Sequence, residues 1–168
     1  MSRSDDAEAL VTAHRASLIR YLARYTGDAD LAEDLVQETY MRLLERPPAD
    51  DRNPRAWLFT VATNLARDRA RIEQRRTELV GTTSPAAPDD PARVVERAET
   101  RARVQAALAS LTPRDRTALL MREEGFRHRE IAEAIGATTQ SVGTILARAL
   151  VRLGRGLGVP TPEKKETR

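Results

Sequence analysis

The run Arg129-Glu130-Ile131-Ala132-Glu133-Ala134-Ile135-Gly136-Ala137-Thr138-Thr139-Gln140-Ser141-Val142 decides the fold. Ile131, Ala132 and Ile135 recur at helical spacing, Gly136 marks a stop, and Thr138 offers a cap for a second helix. Helix, glycine turn and a second helix led by small polar residues is the layout of a helix-turn-helix, whose second helix enters the major groove of DNA. Projected at about 100° per residue, the last helix turns Val142, Leu146, Ala149 and Leu153 to a core. Gln140, Thr144, Ala147, Arg148 and Val151 point away, flanked by Ser141 and Arg155. Thr138, Thr139, Gln140, Ser141 and Thr144 are residue types that reach base edges, Gln above all through paired hydrogen bonds to adenine. Arg127, Arg129, Arg148, Arg152 and Arg155 are placed to hold phosphates. An ordinary helical hairpin shares this pattern, so the pattern alone leaves that alternative open.

Working upstream, Thr112-Pro113 is a capping residue followed by proline at a first helical position, and Gly125 stops the helix it opens. Ala118, Leu119, Leu120 and Met121 are the core residues of that helix. A further helix over residues 92–110 carries Val94, Val95, Ala98, Val104, Ala107 and Leu108. Before it, residues 77–91 lose all periodicity and fill with Gly, Pro, Ser, Thr and Asp, the composition of an extended linker.

The first half reads as three helices. Residues 6–25 carry Leu10, Val11, Leu18, Ile19 and Leu22 at helical spacing, and residues 29–46 follow Thr26-Gly27-Asp28. This second helix places Leu31, Leu35, Val36, Thr39, Tyr40 and Leu43 on one side. Asp30, Asp34, Gln37, Glu38, Met41 and Glu45 lie on the other. A solvated face is the plain reading of the acids; their single sign, with Gln37 and Met41 amid them, favours a docking surface for a basic partner. After a loop containing Pro47, Pro48 and Pro54, the third helix covers residues 54–76, with Trp57, Leu58, Val61, Leu65 and Ile72 as its expected buried stripe. Beside that stripe Thr60, Asn64, Arg67 and Arg71 form one polar row, continued by Arg75 and Arg76, with Asp68 three residues before Arg71. Such segregation suggests protein on the acidic side and nucleic acid on the basic side.

Composition bounds these readings. Aromatics are only 4% of 168 residues and charged residues 32%, which suits two small all-helical units better than one large core. The excess of cations is modest at +3, but nearly all are Arg, the residue suited to phosphates and base edges. There is no Cys, which excludes disulfides and thiolate metal sites. The polar stretch of residues 1–10 lacks the apolar run of a signal peptide, and no segment is apolar over a membrane-spanning length, so a cytoplasmic protein without membrane insertion is expected. His14 and His128 stand alone and no phosphate-binding glycine loop occurs, so neither an enzyme nor a metal or other cofactor is expected.

Asp30-Leu31-Ala32-Glu33-Asp34-Leu35-Val36-Gln37-Glu38-Thr39-Tyr40-Met41-Arg42-Leu43 resembles region 2.2 of the sigma-70 family of RNA polymerase sigma factors, in its small extracytoplasmic-function (ECF) group. Trp57-Leu58-Phe59-Thr60-Val61-Ala62-Thr63-Asn64-Leu65-Ala66-Arg67-Asp68-Arg69-Ala70-Arg71 resembles regions 2.3 and 2.4. Leu111-Thr112-Pro113-Arg114-Asp115-Arg116 and the stretch from Glu130 to Leu153 resemble region 4. The resemblance implies an all-α fold of two small helical domains joined by a flexible linker, the C-terminal one a helix-turn-helix. Its boundaries are a region 2 domain over residues 5–76, a linker over 77–91, a region 4 domain over 92–158 and a disordered tail over 159–168. It also implies docking on the clamp of the largest polymerase subunit through Asp30, Asp34, Gln37, Glu38 and Met41, and a contact with the flap of the second subunit. Thr60, Asn64, Arg67, Asp68, Arg71 and Arg75 would take the −10 element, while Arg127, Arg129, Thr138, Thr139, Gln140, Ser141, Thr144 and Arg148 would hold the −35 element. An anti-sigma factor is a further implied partner. The chain departs from the family in having Arg127 where Ser or Thr caps the helix-turn-helix, and Gly143 and Ile145 where Lys and Arg are common. A stand-alone helix-turn-helix regulator with an N-terminal dimerisation domain is the alternative.

Overall fold

The computed structural model describes residues 3–48, 53–80 and 93–159, and among them the secondary structure is helical throughout. The helices are α1 (Arg3–Thr26), α2 (Ala29–Glu45), α3 (Pro54–Val80), α4 (Arg93–Ala109), α5 (Pro113–Glu123), α6 (His128–Ile135) and α7 (Thr139–Leu157). Local chemistry sets most boundaries. Asp28 caps α2 by accepting the Leu31 N–H at 3.0 Å, and Asn53 caps α3 by accepting that of Ala56 at 3.0 Å. Thr112 and Thr138 cap α5 and α7 as their sequence predicts, accepting the N–H groups of Asp115 and Ser141. Helix α3 outruns its expected end at residue 76 and continues to Val80; the rest of the expected linker and residues 160–168 of the expected tail lie outside the described residues.

In the first half α1, α2 and α3 pack on one another around Leu18, Tyr21, Leu22, Leu35, Val36, Leu58 and Phe59, all essentially inaccessible. Buried hydroxyls find partners inside this core. Thr63 donates to the Phe59 carbonyl at 2.7 Å and pairs with the Tyr21 hydroxyl at 2.7 Å; burial raises the Tyr21 pKa far above its usual range, so it stays neutral. In the second half α7 lies against α4, α5 and α6. Close approach of α4 and α7 relies on Gly156, where an added Cβ would sit 3.0 Å from that of Ala107.

Two expectations about buried faces are corrected. Ile72 is 60% exposed, because α3 projects beyond the bundle and no described residue covers its last turns. Of the expected stripe Leu58 is buried, Trp57, Val61 and Leu65 are only partly covered, and the rest of the buried face runs through Ala56, Phe59, Ala62, Thr63 and Ala66.

That shift has a structural cause: the two halves are packed together, α1 on α4 and α5, α3 on α5 and α6. Helix α5 ends in a left-handed turn at Gly125 (φ 85°), with Gly125 N–H bonded to the Arg122 carbonyl and Phe126 N–H to that of Met121. This Schellman turn delivers Phe126 into the interior. Phe126 meets Phe59 edge to face, centroids 4.8 Å apart, and Phe59 meets Tyr21 in turn at 5.1 Å. The chain has only two Phe residues, and they join its halves into one hydrophobic core.

Candidate nucleic-acid and partner interfaces

Helix α2 presents Asp30, Glu33, Asp34, Gln37 and Glu45 to solvent, with Met41 at 53% exposure among them. Glu38 differs from its neighbours. It is half-buried and faces Arg42 at 3.6 Å and Arg69 of α3 at 3.8 Å, so part of its charge ties α2 to α3. The structure therefore brings the five expected docking residues onto one surface, four of them exposed.

The polar row of α3 divides. Asn64, Asp68, Arg71 and Arg75 are exposed, and Asp68 pairs with Arg71 at 3.7 Å as their spacing predicts. Thr60 and Arg67 turn toward the second half. The Thr60 hydroxyl donates to the Ala56 carbonyl and lines a groove of about 540 Å³ with Asn53, Trp57, Arg127, Arg129, Glu130 and Glu133. Arg67 donates to the Thr117 hydroxyl at 3.2 Å and the Tyr25 hydroxyl at 3.4 Å.

In the helix-turn-helix, α6 is capped without a hydroxyl. The Glu130 carboxylate reaches back to the Arg127 N–H at 2.6 Å, the reciprocal half of a capping box, so Arg127 can stand where Ser or Thr would serve. Gly136 (φ 65°) ends α6. Thr139, Gln140 and Thr144 are exposed on the first turns of α7. Thr138 and Ser141 spend their hydroxyls on each other and on the cap, 3.1 Å apart. Arg129 pairs with Glu133 at 3.3 Å. Arg148 is drawn sideways to Asp115, which is 2% exposed and also bonds Arg152 at 3.2 Å. Asp115 was not singled out by the pattern; an acid in the first turn of α5 reads as a favourable surface charge, yet here it clamps α7 to α5.

Ile145 is 3% exposed and belongs to the core of the second half, so that position contributes packing rather than a phosphate contact. At Gly143 an added Cβ would meet only His128 Cε1 at 3.9 Å. Gly143→Ala is therefore expected to stabilise the fold by about 1 kcal/mol, whereas Ala at Gly125 should cost about 1–2 kcal/mol through its left-handed backbone. Thermal melts of the two variants would move in opposite directions. His14 is held below the usual imidazole range by burial and then by the Arg55 charge, and among the described residues no group of three His, Asp or Glu side chains is arranged as metal ligands. No helix among them is long and apolar enough to cross a membrane.

The comparisons with known proteins agree with this geometry. The family pattern for Sigma-70 region 2 matches residues 10–76 and that for Sigma-70, region 4 matches residues 101–153. ECF RNA polymerase sigma factor SigL of Mycobacterium tuberculosis is 38% identical over 164 residues, covering 90% of each chain. Probable ECF RNA polymerase sigma factor SigI of the same organism is 32% identical over 89% of this chain, which spans 54% of SigI. Among solved structures, the sigma factor RpoE in complex with the anti-sigma factor NepR from Bartonella quintana matches with a TM-score of 0.72 at 23% identity, covering 93% of this chain and 99% of that one. CnrH in complex with the cytosolic domain of CnrY matches at 0.66 and 24%, covering 90% and 87%. The all-helical architecture, the acidic α2 and the helix-turn-helix of α6 and α7 thus have one common explanation: the chain belongs to the ECF group of the sigma-70 family of RNA polymerase sigma factors.

Proposed function

We propose that the chain is a non-enzymatic, cytoplasmic specificity subunit that binds core RNA polymerase and directs initiation at promoters carrying −10 and −35 elements. One observation carries the reading. A single chain presents an acidic docking face on α2 and, on a separate helix, an exposed polar first turn leading a helix-turn-helix. In this reading the α2 face, with Met41 as its apolar centre, takes the polymerase clamp. The α3 row, chiefly Asn64, Arg67 and Arg71, captures the −10 strand as the duplex opens. Unstacking costs a few kcal/mol per base, which strand contacts of this kind offset without a cofactor. Thr139, Gln140 and Thr144 read the −35 duplex, with Arg127 and Arg129 toward its backbone. The second half also meets the flap of the second polymerase subunit. Since structures similar to this fold are held by anti-sigma partners, such a protein is a further proposed partner.

A dimerising regulator would pair copies through its first half, whereas here α1 and α3 of that half pack on α4, α5 and α6 of the same chain. Run-off transcription with purified core polymerase on a genomic promoter library tests the proposal. Initiation at a defined, non-palindromic set of promoters is expected; a folded protein that gives no promoter-specific transcript would refute it.

A further inference from the structure

Asp115 is a buried anion beside the helix that the −35 reading places against DNA. It stands in the first turn of α5 with 2% of its surface accessible, and two arginines of α7 share its carboxylate. Arg152 Nη1 donates to Oδ2 at 3.2 Å, and Arg148 Nη2 lies 3.5 Å from Oδ1. The backbone of Asp115 is fixed as well, its N–H donating at 3.1 Å to the Thr112 hydroxyl that caps α5. Each carboxylate oxygen holds one guanidinium, and the carboxylate is anchored at both ends. Two cations against one anion leave the triad with a net positive charge.

The arginines are only partly engaged. Their side chains remain 51% and 46% exposed, and Asp115 takes one nitrogen of each. A guanidinium has five N–H donors, so each keeps donors for a second acceptor. Position along α7 decides what that acceptor is. Gly143 has no side chain and Ile145 is buried, so Arg148 is the first cation along the helix. Gln140, Thr144, Arg148 and Arg152 recur at intervals of four residues and form one ridge. Arg148 lies about 12 Å along the axis from Gln140, at about 1.5 Å per residue. The major groove is about 8.5 Å deep. A helix whose first turn touches base edges has therefore carried Arg148 and Arg152 out to the level of the phosphates. Energetics settles whether they must abandon Asp115 to reach one. A buried carboxylate stripped of its partners costs more than one exposed phosphate contact returns. The arginines stay on Asp115 and meet phosphate through their remaining donors.

We propose that Asp115 is a positioning residue for −35 binding, holding Arg148 and Arg152 as a preformed phosphate clip on the flank of α7 while Thr139, Gln140 and Thr144 address the bases. The proposal rests on the −35 reading of α7 given above. It gives an acid the role of strengthening contact with a polyanion, the opposite of what its charge alone would do.

The test uses the full chain assembled with core polymerase. The probes are fluorescent promoter fragments recovered by run-off transcription, with the −35 element intact or changed one base pair at a time, over a series of salt concentrations. Asp115→Asn keeps the shape of the side chain and removes its charge; a thermal melt establishes that the variant is folded. It is expected to weaken binding about tenfold, the scale of one charge-assisted hydrogen bond lost. The loss should be equal for every −35 sequence, and the dependence of log affinity on log salt should become shallower by about 1–2, at about 0.9 for each phosphate released. The double variant Arg148→Lys with Arg152→Lys keeps both charges but replaces each planar fork by a point charge. It should lose affinity by a similar factor, and it decides the matter if Asp115→Asn folds poorly. Tighter or unchanged binding by folded Asp115→Asn overturns the clip, and so do lysine variants that bind like the parent chain. A loss confined to the intact −35 element, with the salt dependence unchanged, also overturns it and leaves Asp115 as a strut between α5 and α7. If Gln140→Ala and Thr144→Ala leave discrimination among −35 sequences intact, the −35 reading of α7 itself fails, and the clip falls with it.

Discussion

A chain carrying Asp30→Lys and Asp34→Lys is expected to lose affinity for core polymerase by at least about 100-fold, equivalent to about 2.7 kcal/mol. Both carboxylates are exposed on α2, so their reversal disturbs little packing and acts on the proposed docking face itself. Placing cations where a basic partner surface should meet acids exchanges attraction for repulsion, and like-charge juxtaposition at an interface costs several kcal/mol. Asp28 still caps the helix, so its fold should survive the change near its N-terminus. Glu38 is deliberately left in place, because its contact with Arg69 helps to hold α2 on α3 and its loss would blur the result. Co-purification or fluorescence anisotropy with labelled core measures the effect. Near-normal affinity in the double variant would move the docking site elsewhere on the chain.

The second large effect is expected at Phe126. Truncation to Ala should destabilise the protein by about 3–5 kcal/mol, the usual cost of emptying a fully buried aromatic site. It also removes the ring beneath the Arg55 guanidinium, 4.2 Å from its centroid. At about 2–4 °C per kcal/mol for a chain of this size, melting should fall by roughly 10 °C. Trp57 is the only tryptophan and lies in the first half, whereas Phe126 lies in the second. Its fluorescence therefore reports whether damage crosses the boundary. A melt followed by Trp57 that ignores Phe126→Ala would show that the two cores are independent.

The helices themselves were largely legible in the sequence, because caps and periodicity act over a few residues. Thr112 before Pro113, Thr138 before Thr139 and Gly125 after Glu124 each announce a boundary by local chemistry. So were the exposed acidic face of α2 and the polar first turn of α7. The contact between the halves was not. Arg20 and Glu124 are 104 positions apart, and each alone is an ordinary surface charge. Phe59 sat inside the region 2 resemblance without counting as part of the expected stripe, since its cover arrives from a turn in the other half. Ile72 misled for the opposite reason: helical periodicity continues to it although the bundle that would bury it has already ended. Asp115 shows a third kind of limit. A carboxylate is read as solvated until the two arginines that surround it are seen.

The Schellman turn at Gly125 bears on how members of this family can be recombined. Because it aims Phe126 into the neighbouring half, each half carries part of the other's core. A chimera that joins residues 1–80 to the second half of a relative would keep the helices of both halves. It would keep the packing between the halves only with a donor that has an aromatic side chain at the Phe126 position and an acid at that of Glu124. The packing between the halves and the exposed first turn of α7 are thus separable traits here, and the residues that govern the packing lie outside α7 altogether.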